Sequence, residues 1–598
     1  MKCGLELHMQ VNTGKLFCRC PNNLVQTEKP DFVIVRKLRA VAGETGKVDI
    51  AAKAEQEKNK AINYECYNEN TCLVELDEEP PLPIDKHAFR AALEIALLLN
   101  MRPVDEFHIM RKLIIDGSAV SGFQRTGLLA RNGYIKTSMG DVRISTLSLE
   151  EDSARRIDDN TFSLDRMGIP LIEVVTEPDI VNPQHAREVA EKIGTLAKFT
   201  GKLIRGIGTI RQDVNVSIPD GARVEIKGVQ DLRLMDTFVE LEVERQEKLL
   251  EIKKMINVKL SAYSDLSEIF RNTKCSFLNN QTVYGMKLSK GKGLLGFKVQ
   301  NNKTFGKEIA DYVKVITGIK GILHTDELPA YGITEEEVIM VRKSLNCSDT
   351  DGFILVACDD EIKKVHEVIN KRLVQAVKGV PEEVRAPNHA DGTTNYLRPL
   401  PGGTRMYPET DVPIIRLKSG LISEIISNLS KTPDEKYDWL KNTGLNDELS
   451  SQLMRNNKKL ALYELITDKT NADNKLTASL ILENPAEKVK PEHLILIFSK
   501  IENNELVKEA VPEIIQSLIK KHDFSKILKK YAPLNTKELN SKVQRVIAKN
   551  RKLLNHPNKF GLLMNELMKS LRGRADAGLI SKVLKKELMK HERAAGNR

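Results

Sequence analysis

Several short segments of this chain alternate strictly between apolar and polar residues. That period of two has one ready local solution, a β-strand with one buried face. In Gly4–Val11, the residues Leu5, Leu7, Met9 and Val11 share one face, and Glu6, His8 and Gln10 share the other. In the segment 213–218, Val214, Val216 and Ile218 turn inward while Asp213, Asn215 and Ser217 turn outward. Arg223, Glu225 and Lys227 alternate with Val224 and Ile226. Glu173 sits among Ile172, Val174 and Val175, ahead of Glu177 and Asp179, and the run Glu150-Glu151-Asp152 closes the alternating segment RISTLSL. One such polar face is ordinary solvated surface. Several that converge would make an oxygen-rich pocket with one imidazole. Such a pocket suits Mg²⁺, which takes a few carboxylates together with phosphate oxygens and waters. Converging carboxylates repel one another and call for a cation.

At 598 residues the chain has length for about four domains. Its net charge of +10 favours a polyanionic partner, although a solvated lysine surface has the same signature. Eight cysteines are too sparse for a disulfide scaffold. No stretch approaches the ~20 apolar residues that span a bilayer, and the N-terminus reads as a strand rather than a signal peptide. A cytoplasmic protein without membrane contact is expected.

Strand texture dominates the first ~280 residues, with helices expected from about His87 to Leu99 and from about Pro183 to Lys198, the second capped by Asn182. From about Thr282 to Val377 strands and helices alternate as in a small α+β module. A Pro/Gly/Arg-rich stretch follows, and beyond Leu417 the chain is helical and lysine-rich. The expected fold is α+β. A mixed-sheet cradle at 1–284 is interrupted by an inserted domain at 285–378 and returns at 379–425; a helical domain at 426–530 and a helical tail at 531–598 follow.

The segments GLELHMQVNTGKLFCRC, STLSLEEDSARRI, FSLDRMGIPLIEVVTEPDI and GTIRQDVNVSIPDGARVEIKG resemble, in order, the GatB/GatE family, the kinase-transamidase subunits of tRNA-dependent amidotransferases. The resemblance extends through the whole chain. It implies a cradle that binds ATP and Mg²⁺, with Glu6, His8, Glu173 and Asp213 catalytic. The implied metal site is His8, Glu150 or Glu151, Glu173, Asp213 and Glu225. The inserted module, with FGKEIADYV and GIKGILHTDELPAYGITEEEV, resembles the insertion shared by the GatE branch and bacterial-type aspartyl-tRNA synthetases, which the GatB branch lacks. DGTTNYLRPLPGGTRMYPETD also looks like the GatE branch and supplies Arg398, Arg405, Glu409 and Asp411, with Tyr396 and Tyr407 nearby. Arg211, Lys227, Arg398 and Arg405 are expected to bind ATP phosphates, the arginines through fork-like contacts.

Cys18-x-Cys20 is a possible half of a zinc site of the kind some GatB-type proteins complete downstream; here Cys66 and Cys72 follow with five residues between them, outside the usual ligand spacing. The end of the chain resembles the family's tail domain. Leu579, Ile580, Val583, Leu584 and Leu588 share a helical face, and Lys569, Arg572, Arg574, Lys582, Lys585 and Lys586 are candidates for tRNA phosphate contacts. Gly291-Lys-Gly-Leu-Leu-Gly296 matches a dinucleotide fingerprint in letters, but strand and turn, not helix, are expected after it. There is no P-loop motif, no G-x-S-x-G element and no amidase-like serine-rich segment, so a glutaminase site within this chain is not expected.

The resemblance implies a ligase that forms a carbon–nitrogen bond with glutamine as amide donor. It would phosphorylate the γ-carboxylate of glutamate on tRNA(Gln) with ATP and let ammonia displace the phosphate. The implied partner is GatD, an asparaginase-like glutaminase, in a complex of two copies of each subunit. Two alternatives stand beside this reading: a GatB-type subunit working with an amidase, and a non-catalytic tRNA-binding scaffold.

Overall fold

The computed structural model describes residues 1–596 apart from 26–28, 44, 58, 207, 403–405 and 430. It divides into two compact units, residues 1–430 and 431–598. None of the described helices is long and apolar enough to cross a membrane.

The first unit is built on an eleven-stranded mixed sheet. Lys2–Gln10 lies near its centre, antiparallel to Pro170–Thr176 on one side and to Ile210–Ser217 on the other. Beyond Pro170–Thr176 come Gly140–Glu151, Phe123–Thr137 and Ile109–Leu113. Beyond Ile210–Ser217 come Val224–Val229, then Glu383–Pro387 in parallel, then Thr394–Pro399. One face of the sheet carries Leu5, Leu7, Met9, Ile172, Val174, Val214 and Ile226, all buried. Two amphipathic helices, Lys86–Leu98 and Pro183–Phe199, contribute Phe89, Leu93, Ile95, Val189 and Ile193 to this core. Both start where a side chain accepts a backbone N–H: Asp85 from Ala88 and Asn182 from His185. The opposite face is left for polar chemistry.

A 21-residue helix, Met235–Met255, lies in the stretch where strands and only two helices were expected. Its period is masked because much of its buried side is polar: Glu242, Arg245 and Gln246 are fully buried beside Phe238, Val239, Leu249 and Ile252. A count of apolar residues misses such a helix.

The inserted module has its own sheet of Lys259–Asp265, Val283–Ser289, Gly352–Ala357 and Leu323–His324. Its first strand precedes the boundary expected at 285, because Lys259–Asp265 is a largely exposed edge without apolar alternation. Gly352–Ala357 reads as a continuous apolar run because both of its faces are covered. Ile354 and Val356 join a core with the helices Phe305–Thr317 and Ile362–Lys378, while Phe353 and Leu355 join a second core with Val341 of Glu335–Ser344. The GKGLLG segment runs into a turn and the short strand Lys298–Gln300, with no helix directly after the glycines.

The unit 431–598 is helical, with side-chain N-caps at Thr432, Asn446, Asn456, Asp473, Asp523 and Asn535. In its last part Leu539, Val543, Ile547, Leu563, Leu567, Leu571, Ile580 and Leu584 form one core.

Candidate active site

Residues directly opposite one another in an antiparallel pair point to the same face. The register therefore assembles the site from strands distant in sequence. His8 is opposite Glu173 and Arg211, Glu6 is opposite Asp213, and Asn215 is opposite Glu225. Leu171, two residues before Glu173, is opposite Glu150, which is in turn opposite Thr126. Gln124 is opposite Lys112. All of these side chains except Thr126 line an open cavity of about 410 Å³ on the face away from the core.

His8 is the hub. Its Nδ1 lies 3.8 Å from Glu150 and 3.9 Å from Glu173, and its Nε2 lies 3.7 Å from Asp213. Two lysines brace the carboxylates. Lys112 Nζ donates to Glu150 at 2.8 Å and Glu173 at 3.4 Å, and Lys227 Nζ to Asp213 at 2.8 Å and Glu225 at 3.4 Å. The Gly228 amide donates to the other Asp213 oxygen at 2.7 Å, and Asn215 donates to Glu6 at 3.1 Å. Arg211 is tied to Asp152 at 2.8 Å, which also accepts from Gln10 at 2.7 Å.

The charges respond to this crowding. Burial drives the Glu6 carboxyl up to about 7, helped by Glu225, Glu173 and Asp213. Burial also opposes ionisation of Glu173, but Lys112 and His8 outweigh it and bring the group down to about 2. Asp213 is lowered well below the carboxylate range, because Lys227 and His8 overcome its desolvation. Burial disfavours the charged form of His8, yet Asp213, Glu173 and Glu150 together raise its pKa. Oxygens of Glu6 and Glu173 and a ring nitrogen of His8 lie within 4.8 Å of one another. Among the described residues, nine acidic side chains line the cavity against five lysines and arginines, so the donor set, with Glu6, Glu150, Glu173, Asp213 and Glu225 at its centre, fits a hard divalent cation.

A family model described as the GatB/GatE catalytic domain matches residues 1–423. The chain belongs to the GatB/GatE family. A second model, the GatB domain, matches residues 457–588. The chain is 42% identical to the E subunit of the glutamyl-tRNA(Gln) amidotransferase of Methanocaldococcus jannaschii, across 98% of each chain. It is 40% identical to that of Methanobrevibacter smithii, across 99% of each. It is 47% identical to that of Methanothermobacter thermautotrophicus, over 80% of this chain and 79% of the relative.

In this GatB/GatE chain the cavity brings together Glu6, His8, Glu150, Glu173, Arg211, Asp213, Glu225, Lys227 and Arg398. Glu151 is not among them. As the neighbour of Glu150 on one strand it points to the opposite face, where it accepts from the Arg125 backbone at 2.9 Å and lies 3.5 Å from its guanidinium. Of the two neighbours, Glu150 is the one that lines the cavity. Glu409 is likewise directed away, buried against Arg111 and Arg125. Arg405 lies outside the described residues. Lys112 was missed because Ile109–Leu113 has no clean alternation, although a lysine followed directly by Leu113, Ile114 and Ile115 was a signal to follow.

The cysteine expectation needs correction. Cys66 is fully buried among Ile62, Tyr64 and Phe162, because it sits on the inward face of the strand Ile62–Cys66. The cluster that does form is Cys18, Cys20, Cys72 and Glu75, with ligand atoms within 4.8 Å of one another. Glu75 Oε1 accepts from Cys18 Sγ at 2.8 Å, and fully buried Lys15 is 3.6 Å from the same carboxylate.

In the tail, Lys582, Lys585 and Lys586 are exposed on the outer side of Ala577–Gly596 while Ile580, Val583, Leu584 and Leu588 are buried. Leu579, expected on the apolar face, is instead 41% exposed, since it lies one residue before that face begins. Lys569 pairs with Glu566 at 2.7 Å, Arg572 lies 3.7 Å from Glu513, and Arg574 is half-buried with its Nε enclosed.

Proposed function

We propose that this chain activates the γ-carboxylate of glutamate esterified to tRNA(Gln) by transfer of a phosphoryl group from ATP, and that ammonia then displaces phosphate to give glutaminyl-tRNA(Gln). The observation that carries the reading is the convergence of Glu6, His8, Glu150, Glu173, Asp213 and Glu225 on one cavity in a GatB/GatE chain. The relatives' name, the E subunit of a glutamyl-tRNA(Gln) amidotransferase, supports the substrate and favours the GatE branch over a GatB-type subunit.

A γ-carboxylate is a poor electrophile because it is an anion, and an acyl phosphate has a good leaving group. Glu6, His8, Glu150, Glu173, Asp213 and Glu225 would hold Mg²⁺, which when bound neutralises negative charge on the phosphates. Lys112 and Lys227 stop the carboxylates from splaying apart and add fixed positive charge to the cavity. Arg211 and Arg398 offer guanidinium donors to phosphate oxygens. Asp152 orients Arg211 through the 2.8 Å bond. The acyl phosphate is hydrolytically labile, so the site must restrict water and receive ammonia directly. Ammonia comes from an asparaginase-like glutaminase subunit, in a cytoplasmic complex of two copies of each chain. The exposed lysines Lys582, Lys585 and Lys586, with Lys569, Arg572 and Arg574, contact tRNA phosphates.

The test is ATP hydrolysis and glutaminyl-tRNA formation with glutamyl-tRNA(Gln), Mg²⁺ and ammonium, for the wild type, His8→Ala and Glu173→Gln. Product from the wild type, lost in both variants, is expected. A folded wild type that binds tRNA yet hydrolyses no ATP, with or without the glutaminase partner, would leave the scaffold reading.

The second cluster supports a structural zinc site of Cys18, Cys20, Cys72 and Glu75, three sulfur donors and one oxygen donor.

A further inference from the structure

No residue of the segment 259–378 lines the cavity, yet this inserted domain grips the strand that delivers Arg398 to it. Thr394–Pro399 is held from behind at three successive residues. Lys303, itself paired with Asp311, donates its Nζ to the Thr394 carbonyl at 2.6 Å and to Asn395 Oδ1 at 2.6 Å. The Tyr312 ring stacks on Tyr396 with centroids 3.8 Å apart, and its hydroxyl donates to Glu383 on the neighbouring strand. Gln300 accepts from the Thr394 amide at 3.3 Å. Between the two strands, Arg385 donates to Thr394 Oγ1 at 2.7 Å and its carbonyl at 2.9 Å.

The register then changes. Arg385 is opposite Tyr396 but Val384 is opposite Arg398, so one extra residue, Leu397, is accommodated. A bulge of this kind re-aims the side chains that follow it. Tyr396 falls in line with Ile226 on the core side, and Arg398 falls in line with Glu225 on the cavity side. There the Arg398 guanidinium lies 3.9 Å from Asp116, and its Nε finds no hydrogen-bond partner among the described residues.

We infer that the inserted domain is the positioning frame for Arg398. Lys303 and Tyr312 clamp the strand ahead of the bulge, and the bulge turns Arg398 toward the anionic part of the substrate. Neither Lys303 nor Tyr312 touches the cavity, so both act through Arg398. This inference rests on the reading above, in which Arg398 meets ATP phosphate oxygens.

The test is a double-mutant cycle on the full chain with Lys303→Met and Arg398→Ala, measuring KM for ATP and kcat in tRNA-dependent hydrolysis. Lys303→Met is expected to raise KM roughly 10-fold, as a misplaced substrate-positioning group does, with kcat changed less than about twofold. In the Arg398→Ala background the same change is expected to have no further effect, and Lys303→Arg is expected to restore KM. An unchanged KM, or effects that multiply in the double variant, would overturn the inference. A second readout is independent of activity: hydrogen exchange at amides 394–398 should accelerate in Lys303→Met but not in Leu93→Ala, a core variant of similar destabilisation. Unchanged exchange in Lys303→Met would also overturn it. A wild type that hydrolyses no ATP would defeat the proposed function, and the exchange comparison would still decide whether the frame exists. Should Lys303→Met not fold, Tyr312→Leu serves in its place.

Discussion

Replacing one carboxylate oxygen of Glu308 by an amide nitrogen breaks a buried ion pair whose cost can be worked from the structure. Glu308 is fully buried on the helix Phe305–Thr317 and accepts from Arg245 at 3.1 and 3.2 Å and from Arg372 at 2.6 Å. Arg245 has other partners, with Glu242 at 2.9 and 3.0 Å and Glu383 at 3.5 Å. Arg372 is 1% exposed, its only hydrogen-bonded carboxylate among the described residues is Glu308, and its Nε and Nη1 have no hydrogen-bond partner. Glu308→Gln therefore strands a buried guanidinium, and breaking a buried pair from one side costs about 3–5 kcal/mol. The unfolding entropy of a 430-residue unit is on the order of 0.9 kcal/mol per kelvin. The expected fall in Tm is thus about 3–6 °C by calorimetry. Arg372→Met should recover about half of that loss when added to Glu308→Gln, because it removes the stranded charge and leaves an apolar side chain near Phe305 and Tyr312. Lys248→Met, which breaks an exposed pair with Glu251, should not move Tm measurably. A double variant less stable than wild type by the sum of the two single losses would refute the argument that the cost is an unpaired charge.

Burial holds the Glu383 carboxyl up at about 7, against the pull of Arg385 and Arg245. The folded state therefore binds this proton more tightly than the unfolded chain. Its stabilisation is present below about pH 4.5 and is lost as pH rises to about 7, so the Tm of wild type relative to Glu383→Gln should fall across that window. A flat difference would be the contrary result. Lys112→Met should lower kcat on the order of 10²-fold, since two carboxylates lose their nearest fixed cation; an unchanged kcat would remove Lys112 from the chemistry. Metal analysis of the purified chain should find one zinc, absent after Cys18→Ser or Cys72→Ser but retained in Cys66→Ser. Replacing Lys582, Lys585 and Lys586 with Gln should weaken tRNA binding and lower its salt slope by about 2 if these lysines meet phosphates; an identical slope would place the contact elsewhere.

What the sequence determined by itself was the direction of side chains. In Gly4–Val11 and the segments around Asp213 and Glu225, a period of two admits only one split between core and cavity, and the structure keeps that split. Helices with apolar stripes and good N-caps, such as Lys86–Leu98 and Pro183–Phe199, were equally legible because their information is local. Tertiary structure decided whatever depends on partners far away in the chain. Glu150 and Glu151 are adjacent and chemically alike, and only the pairing of Leu171 with Glu150 shows which one joins His8. The helix Met235–Met255 hides its period because Glu242 and Arg245 are buried by pairing with each other, and Arg245 also pairs with Glu308, 63 residues beyond it. Glu75 replaces Cys66 beside Cys18 and Cys20 because a ligand set is chosen by proximity in space and not by residue type. Arg398 turns to the cavity through a one-residue shift in register, and register belongs to the pair of strands rather than to either strand alone.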